Sequence, residues 1–224
     1  MKQILFIGAY EKSDILFYVA KLLSVEHSVL ILDVTAHADY EYAYPKVEGQ
    51  DGVQQHDRFD VIENATLETY QELQKESKYD LVLVDISRRD ELQRWPVADQ
   101  YYLVSSYDNA IMQRNGILMN AFFQDKSQSD LIPVHKLIQE SAVFPEEVIQ
   151  ETFTKHPIDW KESFIFYPDE RDLESKYMNQ HLSMLHTKKL SGDLKSALQR
   201  VASQILGMTA KEVKGLWKQA ERGK

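Results

Sequence analysis

The sequence predicts a three-layer α/β fold in which a mostly parallel, twisted sheet carries helices on both faces. Two observations lead to this prediction. Short apolar segments of strand length alternate along the chain with segments whose apolar residues have helical spacing. Two of the apolar segments, residues 29–32 and 81–84, are uninterrupted and each is followed by an aspartate. Such runs are typical of strands that are buried on both faces of a parallel sheet.

The individual elements follow from these two patterns. The predicted strands are short apolar runs, at residues 4–7, 28–33, 80–85, 101–105 and 164–167. The predicted helices have apolar residues on one face, at residues 13–24, 66–76, 108–123, 170–185, 192–206 and 210–222. Asp108 is placed to cap its helix, and Pro168 ends the last strand.

Two segments give weaker signals. Residues 34–58 are polar and rich in Tyr, Gly and Asp, and they are predicted to form a loop, with room for a short strand at residues 61–62. Residues 131–156 mix both periodicities, so we expect a mixture of elements there. The tyrosines of the first segment, Tyr40, Tyr42 and Tyr44, either contact a ligand or partner or fasten the loop to the body of the domain.

The composition is that of a single water-soluble domain. The chain has 224 residues, of which 43% are hydrophobic and 27% charged, and no Pro/Gly/Ser-rich linker divides it. The absence of cysteine excludes a disulfide scaffold, a Cys-ligated zinc site and a Cys nucleophile. A formal charge of -9 argues against binding nucleic acid by bulk charge. The apolar runs are too short for a signal peptide or a membrane span, so we expect a cytoplasmic protein.

The turn from the first strand to the first helix, residues 8–13, has features of a phosphate-binding loop. Such a loop needs glycines that let backbone N–H groups face the phosphate, a Lys for the terminal phosphates and a Ser or Thr hydroxyl for magnesium. Gly8, Lys12 and Ser13 supply these groups, but Glu11 stands where a glycine is expected and adds a negative charge. By itself this pattern is also compatible with an ordinary strand-to-helix turn.

Two carboxylates follow buried strands and are expected at the same edge of the sheet as this loop. Asp85 comes after residues 81–84, where a phosphate-binding protein holds the magnesium shell. Asp33 comes after residues 29–32 in the same manner. Either could be a simple strand-terminal aspartate, but the loop and both aspartates together favour the plan of a P-loop ATPase.

In these features the chain resembles the ParA/MinD-type ATPases, and among them the pilus-associated CpaE/TadZ branch. The phosphate loop of that family reads Lys-Gly-Gly-x-Gly-Lys-Thr-Thr. Gly8, Lys12 and Ser13 match it, whereas Ala9 and Glu11 replace its second and third glycines. The loop is therefore degenerate.

The resemblance continues to the end of the chain. Ile7 stands in place of the family's signature lysine, and Asp33 matches the first aspartate of a segment whose second aspartate is replaced by Thr35. Further segments match in order, at residues 79–85, 97–104, 166–169 and 191–207. The resemblance implies that Gly8, Lys12, Ser13, Pro168 and Asp169 would bind ATP or ADP, that Ser13 and Asp85 would hold Mg²⁺, and that Asp33 would act in catalysis.

The C-terminal segment, residues 208–224, is predicted to add a basic amphipathic helix to a domain formed by residues 1–207. Thr209 and Glu212 form a capping box. Val213, Leu216, Trp217 and Ala220 then recur at helical spacing opposite several lysines. Such a helix can bind a membrane surface or a partner through residues 209–222, as in MinD-like relatives, or it can pack on its own domain.

Three functions are compatible with these features. The first is a dimeric regulator or localisation factor that positions or assembles a pilus, secretion, conjugation or partition apparatus. Its ATP hydrolysis would be slow or absent because of Glu11 and the missing signature lysine. The second is an active ATPase that cycles on a membrane or on DNA. The third is a receiver-like interaction domain that binds no nucleotide.

Overall fold

The computed structural model describes residues 1–49, 52–127, 130–139, 145 and 147–222. These residues form one eight-stranded sheet with the strand order β3-β4-β2-β5-β1-β6-β7-β8. The strands are β1 (Lys2–Ile7), β2 (Val29–Val34), β3 (Val53–His56), β4 (Phe59–Ile62), β5 (Leu81–Ile86), β6 (Gln100–Ser106), β7 (Ile132–Gln139) and β8 (Ile158–Phe166). Neighbouring strands are parallel except for the pair formed by β3 and β4.

Eight helices accompany the sheet in the described part of the chain. They are α1 (Ser13–Leu23), α2 (Leu67–Glu76), α3 (Arg89–Arg94), α4 (Asn109–Phe123), α5 (Glu147–Thr152), α6 (Glu170–Asn179), α7 (Gly192–Leu206) and α8 (Ala210–Arg222). The predicted mostly parallel α/β fold is confirmed. None of the described helices has the length and apolar character needed to cross a bilayer.

The alternation of side chains along β1 divides the core into two layers. Ile4 and Phe6 belong to the cluster that includes α1, α7 and α8, whereas Leu5 and Ile7 belong to the cluster that includes α2 to α5. All four side chains are fully buried. A strand covered on both faces must be apolar at every position, which is why this run is continuous rather than alternating.

Three elements differ from the sequence-based prediction. The segment predicted as a loop contains β3, which forms an antiparallel edge hairpin with β4. Its sequence, Val-Gln-Gln-His, is too polar to indicate a strand, and pairing along the sheet edge stabilises it instead. The short helix α3 was not predicted, and β8 begins at Ile158, six residues before the apolar run that was recognised.

Helix α6 also ends earlier than predicted, at Asn179 rather than at residue 185. Asn179 is buried, and its side-chain amide donates hydrogen bonds to the Tyr18 hydroxyl and to the His186 carbonyl, each at 3.1 Å. Its Oδ1 accepts from the His186 N–H at 2.8 Å. These bonds turn the chain back towards α1 and favour an end to the helix over its continuation.

The C-terminal helix α8 packs on its own domain. Its apolar residues Val213, Leu216, Trp217 and Ala220 are all buried in the core cluster that includes α1 and α7. Of the two hypotheses drawn from the sequence for this helix, the structure shows the one in which it packs on its own domain. The apolar face that a membrane or a partner would need is thus covered, and lysines occupy the exposed face. Residues 223 and 224 of the predicted segment lie outside the described residues.

Candidate functional site

The loop between β1 and α1 lies at the carboxyl edge of the sheet, where parallel α/β proteins hold their ligands. Gly8 has a φ of +155°, and a Cβ atom at this position would lie 2.2 Å from the Val104 carbonyl oxygen on β6. The next residue, Ala9, donates its backbone N–H to Asn115 Oδ1 at 2.7 Å. Asn115 in turn donates to the same Val104 carbonyl at 3.1 Å. The first half of the loop is therefore fixed tightly to β6 and α4.

Lys12 points into the protein rather than towards solvent. Its side chain is only 1% exposed, and its Nζ donates to the Gly8 carbonyl at 2.8 Å. The same atom forms an ion pair with Asp85 Oδ1 at 2.5 Å, and Asp85 is fully buried. The structure therefore brings these two predicted site residues into direct contact. Each supplies the counter-charge that burial of the other requires.

Tyr40 completes the environment of Asp85. It is fully buried and donates its hydroxyl hydrogen to Asp85 Oδ2 at 3.0 Å. Burial raises the pKa of the Tyr40 hydroxyl well above its ordinary value, and the nearby carboxylates raise it further. Burial also raises the pKa of Asp85 to about 6, although Lys12 opposes this shift. The polar partners of Asp85 are thus one ammonium group and one hydroxyl.

Asp33 lies beside Asp85 because the two are paired in the register of β2 and β5. It is fully buried, and its Oδ1 accepts hydrogen bonds from the backbone N–H and the hydroxyl of Thr35, at 2.9 and 2.6 Å. Among the described residues, Asp33 Oδ2 has no hydrogen-bond partner. Thr35 therefore orients the Asp33 carboxylate.

Glu11 occupies the N-terminus of α1. Its Oε1 accepts hydrogen bonds from the Ser13 backbone N–H at 2.9 Å and from the Ser13 hydroxyl at 2.5 Å. A helix N-terminus carries partial positive charge and unpaired N–H donors, which is why phosphates bind there. In this structure the protein's own Glu11 carboxylate takes one of these donors, the Ser13 N–H. The hydroxyl that was predicted to hold magnesium is committed to the same carboxylate.

Lys176 on α6 contacts the second oxygen of the Glu11 carboxylate. Its ammonium forms an ion pair with Glu11 Oε2 and lies 3.6 Å from Asp14 Oδ1. Burial lowers the pKa of Lys176 and raises the pKa of Asp14 to about 6. Sequence reasoning missed Lys176 because it is 165 residues from Glu11 and belongs to no recognisable motif. Asn115 was missed for the same reason.

A cleft of about 340 Å³ opens between this loop and the turn from β8 to α6. The predicted residues Pro168 and Asp169 lie in its lining, together with Tyr10 and Asp14. Asp169 caps α6 by accepting from the Arg171 N–H at 2.9 Å, and it forms an ion pair with the Arg171 guanidinium. Further carboxylates line the cleft, those of Glu170 and Asp172. The lining has more carboxylates than ammonium groups, which disfavours a polyanion.

The residues predicted to hold ATP and magnesium are therefore close together, but their polar atoms are engaged with one another. The helix N-terminus holds Glu11, Lys12 is paired with Asp85, and the Ser13 hydroxyl donates to Glu11. This arrangement does not fit a triphosphate. Over the described residues there is also no cluster of three or more His, Asp or Glu side chains that could hold a metal ion.

Comparison with known proteins identifies the fold. No protein-family model matches the chain, and no curated protein matches it. Solved structures do. A ParA family ATPase from Chlorobium tepidum has a TM-score of 0.64 at 15% identity, over 90% of this chain and 97% of that one.

Two further solved structures agree with this result. A putative plasmid partition protein from Borrelia burgdorferi, bound to AMPPNP, has a TM-score of 0.60 at 14% identity, over 92% of this chain and 98% of that one. The MinD cell division protein of Aquifex aeolicus has a TM-score of 0.62 at 12% identity, over 93% and 98%. The chain therefore has the fold of the ParA/MinD-type P-loop ATPases.

Proposed function

We propose that this protein is a ParA/MinD-like regulator whose phosphate loop is held closed by its own Glu11, so that it binds nucleotide weakly or not at all. Hydrolysis of ATP is correspondingly slow or absent. The protein acts as a dimer that positions or assembles a larger apparatus for pilus formation, secretion, conjugation or partition, as in the CpaE/TadZ branch. The observation that carries the proposal is the Glu11 carboxylate at the N-terminus of α1.

The position of Glu11 opposes phosphate binding for two reasons. A phosphate at this helix N-terminus needs the Ser13 N–H, which already donates to Glu11 at 2.9 Å. A phosphate would also bring at least one more negative charge next to the carboxylate, and like charges at this distance repel. Opening the loop requires the Glu11 side chain to leave Ser13 and Lys176 together.

The pairing of Lys12 with Asp85 opposes phosphate binding in a second way. A lysine that reached out to phosphates would leave the Asp85 carboxylate buried without its cation. Removing one partner of a buried ion pair costs about 3–5 kcal/mol. A nucleotide would have to offset that cost, unless a divalent cation replaced the lysine beside Asp85.

We propose the roles implied by the family resemblance only for a state in which the Glu11 side chain has left Ser13 and Lys176. In that state Gly8, Lys12 and Ser13 would contact the phosphates, and Ser13 and Asp85 would hold Mg²⁺. Pro168 and Asp169 would also contribute to nucleotide binding, and Asp33 would act in catalysis. When bound, the magnesium ion would neutralise phosphate charge.

The alternative function, an ATPase cycling on a membrane or on DNA, is favoured by a specific observation. Lys12, Asp33 and Asp85 all lie at the carboxyl edge of the sheet, in mutual contact or register. A receiver-like domain without nucleotide would use the two aspartates only as strand-terminal carboxylates.

A titration with a fluorescent ATP analogue tests the proposal, with and without magnesium, on wild type and on Glu11→Gly. We expect the wild type to bind weakly or not at all and to show no turnover. Glu11→Gly frees the helix N-terminus and should bind at least about tenfold more tightly, since one charge-assisted contact is worth about 1.4 kcal/mol or more. Tight, magnesium-dependent binding with turnover by the wild type would instead establish the ATPase.

A further inference from the structure

A second concave surface lies on the other side of the loop from the acidic cleft. It is a groove of about 180 Å³ between the turn after β2, the turn after β5 and helix α4. A groove of this size can hold one phosphate or carboxylate group with a short apolar extension.

Two arginines line this groove from different helices. Arg89 is the first residue of α3 and Arg114 lies on α4, and these helices pack against each other. Both side chains are exposed. Within the described ranges, neither guanidinium forms an ion pair with a carboxylate. The other arginine of the same turn, Arg88, instead donates to the Ala65 carbonyl.

The remaining lining supplies a hydroxyl and an apolar floor. Ser87 Oγ accepts a hydrogen bond from the Ala36 N–H at 3.0 Å, and among the described residues its own hydrogen has no acceptor. Ile117 and Leu118 form the apolar part, and Ile117 is 51% exposed. A hydroxyl donor and two guanidinium groups around an apolar floor are the features of a site for an anion attached to an apolar group.

The charge of the groove contrasts with that of the whole chain. The protein has a formal charge of -9, yet two arginines here stand against the single carboxylate of Asp39. Asp39 does not neutralise them. Among the described residues, no ion pair joins the Asp39 carboxylate to either guanidinium. The guanidinium groups are thus available to an external anion.

We propose that the groove formed by Arg89, Arg114, Ser87 and Ile117, which adjoins the phosphate loop at Ala9, binds the phosphate or carboxylate group of a ligand. Arg binds such groups through two parallel N–H donors, which gives geometric selectivity as well as charge. The groove shares Ala9 with the loop at residues 8–13, but neither Lys12 nor Glu11 lines it.

Backbone amide NMR spectra of the full chain provide the test, with inorganic phosphate and with butyrate as probes. We expect saturable shifts at the amides of Ala36, Ser87 and Arg114. Arg89→Ala or Arg114→Ala should weaken binding by about tenfold, since one charge-assisted contact is lost. Arg114→Lys keeps the charge but loses the paired donors, so it should fall in between. Arg222→Ala removes the same charge from the exposed end of α8 and should leave binding unchanged.

The two probes distinguish the source of the anion. Tighter binding of phosphate indicates a phosphorylated ligand, and tighter binding of butyrate indicates a carboxylate with an apolar chain. The proposal is overturned if neither probe gives saturable shifts in the groove, if the shifts appear only at residues 11–13, or if Arg222→Ala weakens binding as much as the groove variants do.

Discussion

Glu11 and Ser13 hold each other through two hydrogen bonds, one from the Ser13 N–H at 2.9 Å and one from its hydroxyl at 2.5 Å. The same carboxylate therefore does two things. It accepts a hydrogen bond from the N–H of the first residue of α1, which stabilises the folded protein, and it lies at a helix N-terminus, the kind of place where phosphates bind. These two roles respond oppositely to substitution.

Glu11→Ala separates the two roles. Loss of a hydrogen bond of this kind typically costs about 1 kcal/mol, so the free energy of unfolding should fall by about that amount in urea titrations. Nucleotide affinity, measured on the same samples, should rise because the helix N-terminus is freed. Glu174→Gln, on the exposed side of α6, is the control and should change neither. A fall in both stability and affinity would mean that Glu11 supports the binding site instead of blocking it.

The buried pair of Lys12 and Asp85 predicts non-additive effects on stability. Lys12→Ala leaves the Asp85 carboxylate buried without a cation and should lower the free energy of unfolding by about 3 kcal/mol or more. Adding Asp85→Asn to Lys12→Ala should recover part of the loss, because the uncompensated charge disappears. Denaturant unfolding of both single variants and the double variant gives the coupling energy. Additive losses would contradict the direct contact.

Gly8 and Gly215 differ in the space available to an added Cβ atom, so their alanine variants can be compared. At Gly8 a Cβ atom would lie 2.2 Å from the Val104 carbonyl oxygen, so Gly8→Ala should displace the loop and cost about 2 kcal/mol or more. At Gly215, within α8, nothing lies within 4 Å of the added atom. Gly215→Ala should raise the free energy of unfolding by up to about 1 kcal/mol. Thermal melting of the two variants should show shifts of opposite sign.

Asp14 makes stability depend on pH. Burial raises its folded-state pKa to about 6, above the ordinary value of about 3.9 for an aspartate. Between these values the folded state binds the proton more readily, so the cost of the buried charge is absent at low pH and appears as the pH rises through about 6. Asp14→Asn should therefore stabilise the protein by on the order of 1 kcal/mol at pH 8 and by much less at pH 4. A gain that is equal at both pH values would refute the shifted pKa.

The packing of α8 on its own domain predicts which of its residues contribute to the free energy of unfolding. Trp217 is 6% exposed in the core cluster that includes α1, so Trp217→Ala should cost about 3–5 kcal/mol in urea unfolding. Lys218→Ala, on the exposed face, should cost less than about 0.5 kcal/mol. With its apolar face buried, the wild type should remain in the supernatant when anionic liposomes are sedimented. Co-sedimentation of wild type, abolished by ending the chain at Gly207, would show that α8 undocks.

Local patterns were enough for the central strands and for most helices. Residues 29–32 and 81–84 could only be buried strands, and the bounds of α7 and α8 follow directly from their apolar periodicity and from Gly207. Gly207 ends α7 with a φ of +69°, which glycine adopts at little cost. By contrast β3, whose residues are polar, exists because β4 pairs with it, and no window of sequence contains that information.

The candidate site divides in the same way. Strand ends and the loop after β1 are local features, so the groups at the carboxyl edge of the sheet could be predicted from the sequence: Gly8, Lys12, Ser13, Asp33 and Asp85. How these groups contact one another follows from the three-dimensional packing alone. In the folded chain Lys176 contacts Glu11, which is 165 residues away in sequence. Lys12 points inward and pairs with Asp85, and the Tyr40 hydroxyl donates to the same Asp85 carboxylate. Ion pairs and buried hydrogen bonds depend on distance in space, which residue order along the chain does not encode.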